Sequence, residues 1–341
     1  MADRPSPARP TIYDVAAEAG VAISTVSRVL NGSDEVSDAT RGRVREAIQR
    51  LRFQPHRTAR TLAQQATSSL AVALPSATSL FYVEILKGVK DAMRDRDMDL
   101  LLCNLGSAHP YPTLQRFLRR GAVDGLLLVS LPPDDRLADQ LGGMQAPVVL
   151  LGSRYADFDA YWWDDEAGAR RATDYLVEAG HQRIGFVTAH ACSYSSAPRL
   201  AGYRAALDDA GIPFDPALVV AGETTKHAGY SEEAGAEAMA RLLALDSPPT
   251  AVFAASDVQA YGAWAHARDN GVRVPRDVSI VGYDDLKLSR FLDLSTVSQG
   301  MHQAGLRATE RLFERMSGPA DERLDVELPV ELMVRGSSGR V

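Results

Sequence analysis

The chain has 341 residues, of which 45% are apolar and 24% charged, and its net charge is −7. This length predicts one small and one large domain, or three small ones, with the composition of an ordinary globular protein. Its apolar runs fall short of the roughly 18–20 residues of a membrane span, and its polar, proline-rich N-terminus excludes a secretory signal. Cys103 and Cys192 are too few for a disulfide framework. We therefore expect a cytoplasmic protein.

The charge is divided unevenly along the chain. Residues 1–66 contain ten arginines and seven acidic residues, a net charge of +3, whereas the remainder carries −10. A basic segment joined to an acidic body is typical of a protein with a nucleic-acid-binding arm. By itself the asymmetry is a weak indication, because a segment with this charge is common.

Three helices are predicted near the N-terminus. The first begins at Thr11, a capping residue whose partner Asp14 lies three positions on, and it ends at Gly20. The second covers about residues 22–30, and the third covers about 38–52 with Ser37 as its cap. Helical spacing predicts the buried side chains, which are Ile12, Val15, Ala16, Ala19, Val26, Val29, Leu30, Val44, Ala47, Ile48 and Leu51.

The first two helices and the glycine-containing turn between them make a helix-turn-helix unit. In such units the start of the second helix meets base edges in the major groove, where Arg28 can pair with guanine O6 and N7. Side chains suited to phosphate oxygens are Thr11, Tyr13, Ser27, Asn31 and Thr40, and Thr25 lies beside the base-contacting face. Spacing and charge alone leave open a helical bundle whose exposed face is merely polar.

From Leu70 onward the pattern changes to alternating strands and helices. This alternation predicts a doubly wound α/β design with a parallel sheet, long enough for two lobes, that binds ligands at the carboxyl ends of its strands. The predicted strands are Leu70–Leu74, Leu100–Cys103, Gly125–Val129, Val148–Leu151, Ile184–Val187, Val252–Ala254 and Val278–Val281. Predicted helices include Val83–Arg96, Ala167–Ala179, Pro198–Ala210, Glu232–Leu245 and Asp257–Asn270.

Motifs of catalysis and metal binding are absent from the sequence. It contains no GxSxG, GxxxxGK[ST], GxGxxG or HExxH pattern, and its seven histidines do not cluster at metal-ligand spacing. We therefore expect no enzymatic activity, no cofactor and no metal. An enzyme on the same α/β frame, such as a sugar hydrolase or kinase, is the alternative that turnover assays would test.

Over twenty residues of the N-terminal segment match one known family in register. The matching string is Thr11-x-x-Asp14-Val15-Ala16, Ala19-Gly20-Val21, Thr25 to Gly32, Val36-Ser37 and Thr40-Arg41, and it strongly resembles the lactose-repressor (LacI/GalR) family of bacterial transcription regulators. The resemblance implies that Ile23, Ser24 and Arg28 set base choice. Ala22 departs from the family's capping serine, which weakens the start of the second helix by ~1 kcal/mol.

A hinge helix is implied by the same resemblance. Pro55 is followed by residues 56–64, which are too short to be helical alone in water and are expected to fold only when docked. In the family, paired hinge helices insert a leucine into the minor groove and kink the DNA, a role that falls to Leu62 here. His56, Ala59 and Arg60 would contact DNA beside it.

The body resembles the family's effector-binding domain, which is similar to periplasmic sugar-binding proteins. Matching phrases include Val123-Asp124-Gly125, Arg199 to Tyr203 and Val274 to Asp285. The resemblance implies a disordered tail at 1–9, a helix-turn-helix domain at 10–54, a hinge and linker at 55–68, and an effector-binding and dimerisation domain at 69–341. Lobe one is expected near 69–163 and 300–328, and lobe two near 164–298 and 329–341.

Effector-site residues are carried over by the same resemblance. Arg199 would anchor ligand hydroxyls or a carboxylate, Asp284 would accept from ligand hydroxyls, and Tyr82 would stack on the ligand. The remaining candidates are Trp163 and Asp164 at the lobe crossover, Ser193 and Ser195 near Arg199, and the weaker Ser256, Asp257 and Gln299. Rings with Asp, Arg and Ser suit a sugar or sugar derivative, and a nucleobase remains open.

The sequence thus predicts a sequence-specific DNA-binding transcriptional regulator, a repressor controlled by a small-molecule effector. Because the chain has no terminal leucine heptad for a tetramer seam, we expect a homodimer on a pseudo-palindromic operator and no membrane partner. A cytoplasmic solute-binding protein without a DNA role and a nucleobase-responsive regulator are the alternatives.

Overall fold

The computed structural model describes residues 10–30, 33, 35–53, 68–106, 109–119, 123–191, 193–318 and 322–341. Contacts divide the chain into two compact units, with the boundary between residues 67 and 68. The predicted tail at 1–9 and hinge helix at 56–64 lie outside the described residues. In the described part of the chain, no helix has the length and apolarity required to cross a membrane.

The N-terminal unit contains α1 (Ile12–Ala19), α2 (Ile23–Leu30) and α3 (Asp38–Leu51). The capping pair of Thr11 and Asp14 is confirmed, since each side chain bonds the other's backbone N–H, and Gly20 ends α1 in the left-handed conformation with φ 64°. Ser37 caps α3 by accepting from the Thr40 N–H. The buried core is Val15, Ala16, Ala19, Val26, Val29, Val36, Val44, Ala47 and Phe53, whereas Ile12, Leu30, Ile48 and Leu51 are only partly buried, contrary to prediction.

The second unit alternates strands and helices. Its strands are β1 (Ser69–Leu74), β2 (Asp99–Asn104), β3 (Gly125–Val129), β4 (Val148–Leu151), β5 (Asp159–Trp163), β6 (Ile184–Thr188), β7 (Val219–Ala221), β8 (Ala251–Ala254), β9 (Ser279–Asp284), β10 (Ser295–Ser298), β11 (Asp325–Leu328) and β12 (Glu331–Met333). Its helices are α4 (Leu80–Ala92), α5 (Pro110–Leu118), α6 (Asp135–Gly142), α7 (Asp165–Glu178), α8 (Ser196–Asp209), α9 (Glu232–Leu243), α10 (Asp257–Asp269), α11 (Lys287–Phe291) and α12 (Met301–Ser317).

The strands form two six-stranded sheets, one in each lobe. Sheet A has the order β11-β5-β4-β3-β1-β2, and sheet B has the order β12-β10-β9-β8-β6-β7. Neighbouring strands are parallel except for β10 and β12. The predicted α/β fold class with two lobes is confirmed, although the seven predicted strands omit β5, β7, β10, β11 and β12.

Glycines bring three pairs of helices into backbone contact across the faces of the sheets. A Cβ on Gly88 of α4 would lie 1.9 Å from the carbonyl oxygen of His302 in α12. A Cβ on Gly202 would lie 2.1 Å from the Glu166 carbonyl oxygen, and one on Gly262 would lie 1.8 Å from that of Glu232. No larger residue fits at these three positions without moving a helix. This packing fixes the helices against the sheets whose carboxyl ends carry the site.

Candidate functional site

The exposed face of α2 carries the side chains that the sequence assigns to base edges. Ile23 is 40% exposed, Ser24 and Arg28 are exposed, and Thr25 and Ser27 are partly exposed. Arg28 Nε lies 3.7 Å from a carboxylate oxygen of Glu35, and both side chains are largely in solvent. Such an ion pair contributes little, so the guanidinium can exchange Glu35 for a nucleic-acid partner at small cost.

The predicted phosphate-contacting side chains differ in their surroundings. The Thr11 hydroxyl donates to Asp14 at 2.7 Å and the Thr40 hydroxyl accepts from Ser37 at 3.0 Å, so both already serve helix caps. Tyr13 is 67% exposed. The other predicted DNA-contacting residues, Asn31, His56, Ala59, Arg60 and Leu62, lie outside the described residues.

A cavity of about 780 Å³ lies between the two sheets of the second unit. Its walls come from the loops that follow the carboxyl ends of strands in both sheets, for example Ser130 after β3 and Ser256 after β8. This is where a doubly wound sheet binds its ligand, because helix starts and strand ends converge there. The volume falls in the usual range for small-molecule sites.

Aromatic rings form one wall of this cavity. The Phe81 ring packs edge-on against Tyr82 with centroids 5.1 Å apart and against Trp163 with centroids 5.9 Å apart. The Trp163 indole N–H donates to the backbone carbonyl oxygen of Gln299 at 2.7 Å, which fixes the ring. Burial raises the pKa of Tyr82, whose hydroxyl contacts Ser130, so this phenol stays uncharged. The wall offers flat apolar surface to a ligand.

Arg199 and Asp165 form a buried ion pair in the opposite wall. Arg199 Nε donates to Asp165 Oδ1 at 2.8 Å, Nη1 donates to the Ala255 carbonyl, and the guanidinium lies 3.8 Å from the Tyr283 ring centroid. Burial alone would lower the pKa of Arg199, but the attraction of Asp165 and the neighbouring acidic groups together outweighs it, and the pKa is raised. The guanidinium is therefore charged and held in one orientation by three partners.

Asp284 lies at the end of β9 beside this pair. It is 4% exposed, and its φ of 121° is a strained conformation for a residue other than glycine. Burial raises its pKa well above the ordinary value, and the charge of Arg199 offsets this only in part. A ligand that donates hydrogen bonds to Asp284 would favour its ionised form.

Two further polar features complete the cavity. The hydroxyls of Ser193, Ser195 and Tyr230 form a closed cluster, with O–O distances of 3.2 Å, 3.2 Å and 2.7 Å. Gln299 is 2% exposed, and its side-chain carbonyl oxygen has no hydrogen-bond partner among the described residues. A buried acceptor without a donor is destabilising by about 1–3 kcal/mol. A ligand donor that reached this oxygen would remove the cost.

The structure brings most of the predicted effector-site residues together at this one cavity. Those that line it are Tyr82, Trp163, Ser193, Ser195, Arg199, Ser256, Asp284 and Gln299. Their sequence positions span more than two hundred residues, and the parallel strand ends gather them. Their contacts with an effector stay a prediction.

The prediction that placed Asp164 and Asp257 in the effector site is corrected, because neither residue lines the cavity. Asp164 caps α7 by accepting from the Ala167 N–H at 2.9 Å. The Asp257 carboxylate is fully buried and accepts from the Thr296 hydroxyl at 2.5 Å and from the Leu286 N–H at 2.7 Å. Asp257 therefore ties the start of α10 to the loops around β9 and β10, which is a structural task.

Other cavity residues escaped the sequence prediction. They include Ser76, Phe81, Asn104, Tyr111, Ser130, Asp165, Tyr194, His227 and Tyr230. Asp165 directly follows Asp164, but only the start of α7 decides which of the two carboxylates reaches Arg199. The position of several others directly after an apolar strand was a usable signal, since strand ends mark the ligand-binding edge.

Comparison with known proteins agrees with this two-unit architecture. Residues 11–56 match the family model of bacterial regulatory proteins, lacI family, and residues 173–338 match that of a periplasmic binding protein-like domain. The chain is 36% identical over 345 residues to the HTH-type transcriptional regulator CelR of Thermobifida fusca, covering 96% of this chain and 98% of CelR. It is 32% identical over 335 residues to catabolite control protein A of Priestia megaterium, covering 96% and 99%.

Solved structures give the same result. The crystal structure of the lac repressor dimer bound to operator and the anti-inducer ONPF matches with a TM-score of 0.76 at 27% identity, covering 97% of this chain and all of the other. The CelR–cellobiose complex matches with a TM-score of 0.69 at 35% identity, covering 96% and 100%. These relatives are regulators and not enzymes, and the chain belongs to the lacI family of bacterial regulatory proteins.

Proposed function

We propose that this regulator is a repressor whose operator affinity is controlled by an uncharged sugar bound in the cavity of the second unit. The observation that carries the sugar assignment is that the aromatic wall lies in the same cavity as a buried acceptor, the Gln299 side-chain oxygen, that lacks a donor among the described residues. The Gln299 side-chain oxygen has no partner among the described residues, and Asp284 is buried beside it in the lining. A sugar supplies hydroxyl donors at its edge and apolar C–H faces for the rings.

The charge balance of the cavity favours an uncharged effector. Asp165 neutralises Arg199 within hydrogen-bond distance, and Asp284 adds a second carboxyl group. An anionic ligand such as a sugar phosphate would find no uncompensated positive charge among the described lining residues. CelR, a relative, was solved with cellobiose, which supports a sugar here. A nucleobase is the second candidate, because Arg199 and the rings also suit a flat heterocycle.

A thermal-shift screen of the purified protein tests the effector class. A ligand at about 100 times its Kd stabilises the fold by about 2.7 kcal/mol, roughly 5 °C for a domain of this size. Neutral mono- and disaccharides, cellobiose included, are expected to raise the Tm of the effector unit. A shift with nucleobases and none with sugars would establish the second candidate, and a shift with sugar phosphates alone would contradict both.

For DNA binding we assign residues 10–54 to the helix-turn-helix domain, 55–68 to the hinge and 69–341 to the effector and dimerisation domain. Two copies would place two α2 helices in successive major grooves of a pseudo-palindromic operator, with Leu62 as the minor-groove wedge. The lac repressor structure is a dimer on operator, which supports a homodimer here. Because the target is chromosomal DNA, we place the protein in the cytoplasm.

Selection from random duplexes tests the DNA role. An enriched sequence with two inverted half-sites is expected, and its affinity should fall steeply with salt because phosphate contacts release counterions. No enrichment with or without sugars would favour a solute-binding protein without a DNA role. Control by an effector further requires that the effector bind the operator-competent and free states unequally.

A further inference from the structure

One hydrogen bond joins the two lobes across the cavity. Ser76 follows β1 of sheet A, His227 lies in the single-turn segment Lys226–Gly229 after β7 of sheet B, and their Oγ and Nδ1 atoms are 3.0 Å apart. Both residues line the cavity. The chain crosses between the lobes in several segments. Among the side-chain hydrogen bonds of the described residues, the bond between Ser76 and His227 is the one that joins the lobes away from those crossover segments.

The backbone that carries His227 is strained and firmly held by its own lobe. His227, Ala228 and Gly229 have φ angles of 50°, 58° and 92°. Positive φ angles are strained for His227 and Ala228 because of their Cβ atoms, whereas glycine adopts them without strain. The surroundings fix this conformation. The Ala228 carbonyl accepts from the His190 N–H at 3.0 Å, and the Gly229 carbonyl accepts from the Gln259 side chain at 3.0 Å. The strained turn thus projects His227 to the far side of the cleft.

We propose that His227 is a positioning residue that holds the two lobes closed over the effector through Ser76. The lobes cannot separate without breaking this bond, and among the described residues no other side-chain hydrogen bond joins them outside the crossover segments. One side-chain hydrogen bond changes an equilibrium by about fivefold, so its removal should raise the population of separated lobes by that factor. The consequence for operator binding rests on the function proposed above, whereas lobe closure itself does not.

Trp163 offers a reporter on the lobe opposite to His227. It is 7% exposed and lies in the cavity wall of sheet A. In full-length protein carrying Trp162→Phe and Trp264→Phe, it is the sole tryptophan, since the chain has three. Iodide, at constant ionic strength, quenches its fluorescence only when the cleft admits a hydrated anion. The measurement needs neither effector nor DNA, so it can fail independently of the proposed function.

In this background His227→Ala and Ser76→Ala are each expected to raise the iodide quenching constant several-fold, up to about fivefold. The double variant should show no further increase, because both changes remove the same bond. Lys226→Ala is the matched control, since among the described residues the Lys226 ammonium pairs with Glu232 and Glu233, both of its own lobe. Quenching that is unchanged in both single variants, or equally raised in the control, would overturn the proposal. If His227→Ala does not fold, the iodide quenching constant of Ser76→Ala tests the proposal.

Discussion

Nε and Nη2 of Arg199 lie 2.8 Å and 2.7 Å from the same oxygen of Asp165, and both side chains are almost fully removed from solvent. A buried charge that loses its partner is strongly destabilising, whereas the intact pair contributes little net stability. The pair therefore serves to present the guanidinium in one place, and that place is the cavity wall.

Arg199→Ala should weaken effector binding at least tenfold while leaving operator affinity unchanged, because the lost donors lie in the second unit only. Calorimetry with a sugar that raises the Tm measures the first effect, and gel mobility measures the second. Asp165→Asn is the companion variant, expected to lower the free energy of unfolding by roughly 3–5 kcal/mol because Arg199 stays charged and unpaired. Undiminished sugar affinity in Arg199→Ala would remove this residue from the site.

Arg28→Ala should cost ~1–3 kcal/mol of discrimination at one base pair of each half-site, because its exposed guanidinium is placed to pair with guanine. Arg43→Ala is the control, since Arg43 is also exposed but belongs to α3. Competition binding with single-base operator variants measures both. Equal losses on all sequences would make Arg28 a phosphate contact instead.

Asp159 should make the second unit sensitive to acid. Burial alone would raise its pKa, but hydrogen bonds from Arg315, Arg311 and the Leu324 N–H outweigh it and lower the pKa to about 2. A depressed folded-state pKa gives stability that is present above the unfolded-state pKa near 4 and is lost as pH falls toward 2. This amounts to about 2 kcal/mol.

Urea unfolding of wild type and Asp159→Asn between pH 2 and pH 6 measures this contribution. The variant should be less stable near pH 6, since two arginines lose a carboxylate, and the difference should shrink as the pH falls. A constant difference across that range would show that Asp159 does not titrate as its contacts require.

Gly152→Ala should disturb the aromatic wall. A Cβ at Gly152 would lie 3.1 Å from both the Trp163 ring and the Ser130 hydroxyl, and φ is +73°. Gly211→Ala is the matched control, because its φ is +66° and nothing lies within 4 Å of its Cβ. Both variants should lose about 1–2 kcal/mol of stability from left-handed strain, but only Gly152→Ala should also lose effector affinity. Equal effector affinity in the two variants would contradict the placement of Trp163 in the site.

Elements whose signals are local could be predicted from the residues alone. The Thr11–Asp14 capping pair, the Gly20 stop and the Ser37 cap each depend on residues within one turn, so the three N-terminal helices could be predicted closely. The strands Gly125–Val129 and Val148–Leu151 were predicted with correct bounds, because strands buried on both faces are continuous apolar runs. The three-residue β7 and β12 are too short for such a run, and Asp, Glu, Ser or Thr side chains interrupt β5, β10 and β11.

The set of side chains that meet in the cavity depends on the folded arrangement of the two sheets. Asp164 and Asp165 are neighbours in sequence, yet the first caps α7 and the second pairs with Arg199, since successive residues at a helix start point in different directions. Asp257 was assigned to the site but lies behind it, and the contact between Ser76 and His227 joins residues 151 positions apart. Such proximity depends on how two sheets align their strand ends, which local propensity does not encode.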